Sequence, residues 1–422
     1  MKELELAVRN ELTENILPFW VKYGRDEKSG GFYGYLGNDN VGDSLESRSV
    51  VMTSRHLWTY SLASRVLKDP SHLAMADYAY RALTRDFIDT THGGVFWSVK
   101  PDGSPDVSKK QIYGEGFALY AFSEYAIALK EVRGDGAGSS AALAVALSLY
   151  TLLEEHARER KFGGYVEARA RDWKPTADLK LSDKDIDCAK SMNTNLHVME
   201  AFTAFHRALK VVRPVDATRP ENAALIARVE ESLSSLIVIT VEKILGKDFH
   251  LDLYFNDDWT QIGDIVSYGH DIETSWLLWE AIEELGAAGH ELAKKYKPVV
   301  VKIAEVALEE GTDPETGAME NELHGGHKER TRIWWCQAEA LVGYFNAWQM
   351  TGDKKFLDAA MRQWKWIEEK QRDAKKGDWF WAVAPDGTPN LSEPKGGNWK
   401  ASYHNGRCCM ELMKRIGAMN RQ

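Results

Sequence analysis

An all-α chain closed into an (α/α)6 barrel of twelve helices, with short β-hairpins in its loops, is what this sequence predicts, and three observations predict it. A glycine-plus-aromatic signal recurs as GGFYGYL at Gly30, GGVFWSV at Gly93, GGYVEAR at Gly163, GKDFHLDLYF at Gly246, TGAMENEL at Gly317 and KGDWFWAV at Gly377. Successive intervals of 63, 70, 83, 71 and 60 residues each leave room for two helices. No linker or low-complexity segment divides the 422 residues, so a length that would suggest two or three domains is absorbed by one repeat architecture over residues 1–422.

The elements follow in order. The opening stretch MKELELAVRNELTENILPFW alternates charged and apolar residues, which suits a first helix and not a signal peptide. Each signal glycine can take a positive φ in a tight turn, and the alternating residues behind it suit a short strand. Between the turns, residues 54–67, 113–129, 141–156 and 332–350 carry helical period. In VSYGHDIETSWLLWEAIEEL, residues 266–285, the apolar positions Ile272, Trp276, Trp279, Ile282 and Leu285 define another helix, with Gly-His-Asp at its entrance. Six turns with two helices apiece give twelve helices, and stacked helix pairs bury a continuous core. An open solenoid would show repeats more alike in length and sequence than these. No run approaches membrane-spanning length.

Composition excludes several functions. A net charge of −10 without a basic cluster leaves no nucleic-acid footprint and disfavours a polyanionic partner, while a small neutral or cationic ligand is compatible. Cys188, Cys336, Cys408 and Cys409 lack zinc spacing and disulfide density, which favours buried thiols in a reducing cytoplasm. There is no HExxH, phosphate loop, GxGxxG or GxSxG motif, and His324 and His327, split by Gly-Gly, read as a solvated turn. The expectation is a cytoplasmic monomer or homodimer with no metal, no cofactor, no membrane and no nucleic-acid partner.

Three histidines share a setting: SMNTNLHVMEAF around His197, SYGHDIETSW around His270 and WKASYHNGRCCMEL around His404. Each stands near a predicted helix start, where the helix dipole disfavours imidazolium and keeps the ring neutral, ready to act as a general base. Alone, each would read as a cap or a satisfied half-buried group. In a closed barrel, alternate helices begin at one rim, so the shared placement brings all three to one pocket. Glu273, three residues after His270, is placed to hydrogen-bond that ring, and also reads as a first-turn acid favouring the dipole. Arg55, in VMTSRHLWTYS, can set a fixed cation against a developing oxyanion, although such an arginine is more often half of a surface salt bridge. Fifteen tryptophans offer flat apolar faces for sugar rings. Trp335 and Trp399 are read as ligand-facing, and Trp276, Trp279, Trp364 and Trp366 as core.

The segments NTNLHVMEAF, VSYGHDIETSWLL, RIWWCQAEALVGYFNA and NWKASYHNGRCCMELMKR, with PFW and GGVFWSV, resemble the N-acylglucosamine 2-epimerase superfamily, and within it the cellobiose 2-epimerases, from about residue 17 to about 415. The resemblance implies an (α/α)6 barrel and cofactor-independent inversion at C2 of a glucose- or mannose-configured reducing sugar. It implies that His270 and His404 move the C2 proton, that His197 and Arg55 handle the carbonyl oxygen and ring opening, and that Glu273 is the acid beside the GHD histidine. Asn193 and Tyr113 match polar pocket positions, and Trp335 and Trp399 match sugar-stacking rings. One departure is Asn195, in NTNLH where cellobiose epimerases read NTHLH, which opens free mannose and glucose as substrates beside a cellobiose-type disaccharide. Three other activities compete. An aldose–ketose isomerase would use the same enediolate. An inverting glycoside hydrolase would draw on Glu273, Asp257, Asp258 and Glu339, and a non-catalytic sugar-binding protein would need only the tryptophans.

Overall fold

Helix after helix runs forward and back across the chain in the computed structural model, which describes residues 1–182, 185–213 and 220–420. Among these residues there are thirteen α-helices, of which the first two, Lys2–Asn10 and Leu17–Tyr23, are joined end to end by a π turn at Glu11–Ile16. Twelve rods result: α1 (residues 2–23), α2 (Val50–Val66), α3 (Leu73–Ala82), α4 (Ile112–Ala128), α5 (Gly136–Leu152), α6 (Met192–Val212), α7 (Pro220–Ile239), α8 (Tyr268–Leu285), α9 (His290–Gly311), α10 (Trp334–Thr351), α11 (Lys354–Trp366) and α12 (Tyr403–Met419).

The even-numbered helices form an inner ring, each packed on the next, and α12 closes it against α2. Each later outer helix packs on the inner helix before it, and α1 packs on α12. This is the (α/α)6 barrel. Inner helices are apolar nearly all round because both faces are covered, by the ring's interior and by the outer layer. All of α4 is buried. One outer rod departs from expectation: residues Gly136–Ala157 are long and apolar enough to cross a membrane by composition. Here its buried stripe, with Ala142, Leu143, Ala146 and Leu149, packs on α4, and small residues such as Ala141 and Ala144 fill its outer face.

Short ladders stitch one rim. A two-residue strand before each inner helix pairs with a strand of the following repeat: Arg48–Ser49 with Ser98–Val99, Lys110–Gln111 with Ala168–Arg169, Lys190–Ser191 with Tyr254–Phe255, Val266–Ser267 with Glu322–His324, and Arg332–Ile333 with Ala382–Val383. Gly396–Gly397 pairs with Tyr35–Leu36 and completes the circle. All six inner helices therefore begin at this rim. The signal turns lie beside it, and φ is positive at Gly30, Gly93, Gly163, Gly317 and Gly377. The fourth turn differs from the expectation. Gly246 is not in the left-handed region, and Phe249 carries the positive φ of 68° in a loop closed by Gly246 N–H to His250 O.

Candidate active site

The rim geometry decides which side chains meet. Tyr113, Asn193, Trp335 and His404 stand at position 2 of their inner helices, His270 at position 3, and Arg55, His197 and Glu273 at position 6, one turn on, so that all of them meet at the mouth of the lumen. A cavity of about 550 Å³ opens there, within the size range of small-molecule sites. All nine residues singled out from the sequence line it: Arg55, Tyr113, Asn193, His197, His270, Glu273, Trp335, Trp399 and His404. Trp381, Tyr254, Asp185, Asn321 and Glu322 line it too; they come from the rim loops and short ladders, where no helical register singles them out.

Each histidine has one ring nitrogen held by an oxygen. His197 Nδ1 lies 2.8 Å from Glu200 Oε2, His404 Nδ1 2.7 Å from Glu339 Oε1, and His270 Nδ1 2.8 Å from Ser267 Oγ. No Nε2 of the three has a protein partner among the described residues. Ser267 thus takes the place expected of Glu273. At the N-cap position of α8 its hydroxyl caps no backbone N–H and faces the ring one turn on, whereas Glu273 reaches down to accept from Arg407 Nη2 at 2.6 Å. Arg55 donates to Tyr113 OH at 3.0 Å and to the Trp399 carbonyl at 2.5 Å, and its guanidinium lies over the Phe117 ring at 4.6 Å. Trp335 packs on both His270 and His404, with ring centroids 4.6 and 5.9 Å apart. Asn193 Oδ1 is buried without a partner among the described residues, an acceptor left open toward the cavity it lines.

Burial sets the protonation. It pushes His270 down to about 3, with the neighbouring His197 adding to the shift, and takes His404 well below the usual imidazole value, helped by Arg55 and Arg407. Both rings are neutral near pH 7. Burial also lifts Glu273 to about 7, reinforced by Glu339, and raises Glu339 itself. Burial opposes ionisation of Glu200 as well, but Arg407 and the His197 hydrogen bond outweigh it and hold this carboxyl at about 2.

Two competing chemistries can be weighed on this geometry. Glu273, Glu339 and His404 bring one ligand atom each within 4.8 Å of one another, the metal-like cluster that sequence spacing could not reveal. The cation between its two carboxylates is Arg407, whose Nη2 lies 2.6 Å from Glu273 and 2.7 Å from Glu339. Glu273 and Glu339 approach within 4.8 Å of each other, closer than the roughly 6.5–9.5 Å that an inverting hydrolase needs between its carboxylates. Asp257 and Asp258 sit on an exposed turn outside the cavity. His324 and His327 face each other across an exposed hairpin.

Asn195 does not reach the cavity. It is fully buried, accepts from Tyr165 N at 2.8 Å and donates to the carbonyls of Tyr165 and Ser191, pinning the Gly163–Gly164 turn. Trp276, assigned to the core, is buried, yet its Nε1 donates to Glu339 Oε2 at 3.0 Å.

Comparison with known proteins places the chain in a family. A sequence model of the N-acylglucosamine 2-epimerase family matches residues 30–408. The chain is 39% identical over 411 residues to a cellobiose 2-epimerase of Bacteroides fragilis, covering 97% of this chain and 98% of that one. The solved cellobiose 2-epimerase of Bacillus thermoamylovorans superposes with a TM-score of 0.87 at 34% identity, over 98% of this chain and all of that one. A D-mannose isomerase shares the fold, with a TM-score of 0.79 at 19% identity.

Proposed function

Because the chain belongs to the N-acylglucosamine 2-epimerase family and is a carbohydrate 2-epimerase, we propose that it interconverts glucose- and mannose-configured reducing sugars at C2, with a cellobiose-type disaccharide as substrate and without a cofactor. A C2 hydrogen becomes acidic only when C1 is a carbonyl, so the pyranose ring must open first and the resulting cis-enediolate must be stabilised at O1. Arg55 and His197 stand together for that oxygen. His270 and His404 serve the two faces of C2: one removes the proton, and the other, protonated for that half of the cycle, delivers a proton to the opposite face. Glu273, with its proton held near neutral pH, is the acid beside them.

The observation that carries the reading is the set of three imidazoles, each tied at Nδ1 by an oxygen and free at Nε2, converging with one arginine on a single cavity. Trp335 and Trp399 offer stacking faces, and Asn193 an open acceptor for a hydroxyl. The disaccharide reading draws on the similarity to proteins named for cellobiose and on Asn195, whose side chain, where the sequence departs from the usual motif, bonds Tyr165 and does not line the cavity.

The test is turnover in D2O followed by proton NMR. Epimerisation through two exchangeable bases puts deuterium at C2 of the first product formed. Epimer that retains its C2 proton at early conversion would overturn the mechanism, a ketose labelled at C1 would identify an aldose–ketose isomerase, and new reducing ends would identify a hydrolase. Running cellobiose, mannose, glucose, N-acetylmannosamine and lactose side by side decides the substrate.

A further inference from the structure

Arg407 never reaches the sugar cavity, and the acid–base scheme does not use it. It stands one turn after His404 on α12 and is 1% exposed. Its Nη1 donates to Glu200 Oε1 and to Tyr403 OH, and its Nη2 serves Glu273 Oε1 at 2.6 Å and Glu339 Oε1 at 2.7 Å. The guanidinium plane is held between Trp276 at 4.8 Å and Tyr403 at 4.4 Å. Carboxylates from α6, α8 and α10 thus meet on one cation from α12. Two of them, Glu200 and Glu339, are the groups that bind Nδ1 of His197 and His404.

Resting on the epimerase reading above, we propose that Arg407 is the positioning residue of this site: it fixes Glu200 and Glu339 so that both rings carry hydrogen on Nδ1 and turn the Nε2 lone pair to the lumen. The physical argument is about tautomers. An ionised carboxylate accepts from Nδ1–H, whereas a protonated carboxyl donates to Nδ1 and forces the hydrogen to Nε2, where it blocks the base. Three acids this close resist common ionisation, and a planar guanidinium with several donors offsets that repulsion while setting each oxygen's direction. Lysine supplies the charge but not the fork.

The other side of Arg407, with Trp276, walls a second cavity of about 670 Å³ at the opposite end of the barrel, between the C-terminal ends of the inner helices. A guanidinium ion can enter there, which makes the proposal open to chemical rescue. In the full-length protein, Arg407→Ala lowers kcat by about 10²-fold or more with KM changed by less than about threefold, as loss of an acid–base function does. Guanidinium chloride at non-denaturing concentration restores turnover, and sodium chloride at equal ionic strength does not. The acid limb of kcat/KM moves to higher pH, because removing the cation lets the Glu200 carboxyl hold its proton at higher pH. Arg407→Lys, which keeps the charge and should fold even where the alanine variant does not, is also impaired by at least about tenfold in kcat. A folded Arg407→Lys enzyme with near-wild-type kcat and an unshifted acid limb overturns the proposal. Wild-type turnover in D2O separates the two readings: no epimer from the wild type sinks the epimerase reading, and C2-deuterated epimer beside a fully active Arg407→Lys sinks only this one.

Discussion

A histidine acts as a base at carbon only if its free nitrogen holds a lone pair, and the partner on the other nitrogen decides that. His270 and His404 differ in this respect, one bound to a hydroxyl and the other to a carboxylate. His270→Ala and His404→Ala should each lower kcat by at least about 10²-fold with folding spared, read by steady-state kinetics beside circular dichroism. Ser267→Ala should cost less, about tenfold, because the ring stays in place but loses its orienting bond. Equal activity in Ser267→Ala and wild type would show that packing against Trp335 alone orients His270. The histidines were legible because each sits in a short motif at a helix start. The partner of His270 differs from the expected Glu273 because the serine three residues back is as near along the chain as the carboxylate three residues on, and spacing alone does not choose between them. Glu200 and Arg407, at the same i+3 offset from His197 and His404, carried a signal that the same rule could have found. Glu339 pairs with His404 across 65 residues and carries none.

At the scale of elements, what the sequence showed as glycine punctuation is a loop with a second fastening. A side chain at position 4 of the inner helix accepts from the backbone N–H just past the turn: Glu115 from Val95, Asn195 from Tyr165, Asp271 from Leu251 and Gln337 from Met319. A buried cation before the helix also meets an acid at the turn, as in Lys110–Asp89, Lys190–Glu159, Arg332–Asp313 and Lys395–Asp373. These pairs were invisible in sequence because the acid and the base lie between 19 and 31 residues apart in irregular chain. Lys110→Met should destabilise by about 3–5 kcal/mol, since Asp89 is left buried with less compensation, measured as a fall in urea midpoint. Asn195 belongs to this fastening and not to the sugar, so Asn195→Ala should cost about 1–3 kcal/mol of stability while leaving the ratio of cellobiose to mannose turnover unchanged. A changed ratio would return Asn195 to the substrate. The fourth turn adds a titrating contact: burial opposes charge on His250, but bonds to Asp271 and Glu310 outweigh it and raise the ring from 6.5 to about 9. A raised folded-state value means that this stabilisation is complete below about pH 6.5 and is lost as pH rises through about 9. Thermal melts of wild type and His250→Gln should therefore converge as pH climbs across that window. A constant gap would remove the assignment.

Across the whole molecule, the first and last repeats must meet before a site exists, because Arg55 comes from α2 while Trp399 and His404 come from the far end of the chain. Asn398 makes that closure: its side chain accepts from Ser49 N at 2.7 Å and donates to the Ser47 carbonyl at 3.0 Å, and its own carbonyl accepts from Ser49 Oγ at 2.8 Å. His56 and Ser402 join 3.0 Å apart nearby, and α1 is tied across by Asn15 to Asp378 N at 2.8 Å. The repeat period made the ring legible, but period alone does not say which residues fasten its ends, since contacts more than 340 residues apart leave no trace in local pattern. Closure also places the Trp399 carbonyl on Arg55, so a loosened seam should reach the chemistry as well as the fold. Asn398→Ala is expected to lose about 1–3 kcal/mol, with two backbone groups at Ser47 and Ser49 left unpaired. It should also lose kcat, because Arg55 is no longer held over the position of O1. Lys110→Met serves as the control, lowering stability at a ladder away from the seam without a comparable fall in kcat at a temperature where both variants are folded. If Asn398→Ala and Lys110→Met lost stability alike and neither lost activity, closure would be a matter of folding alone, and Arg55 would be set in place by Tyr113 and its packing on Phe117.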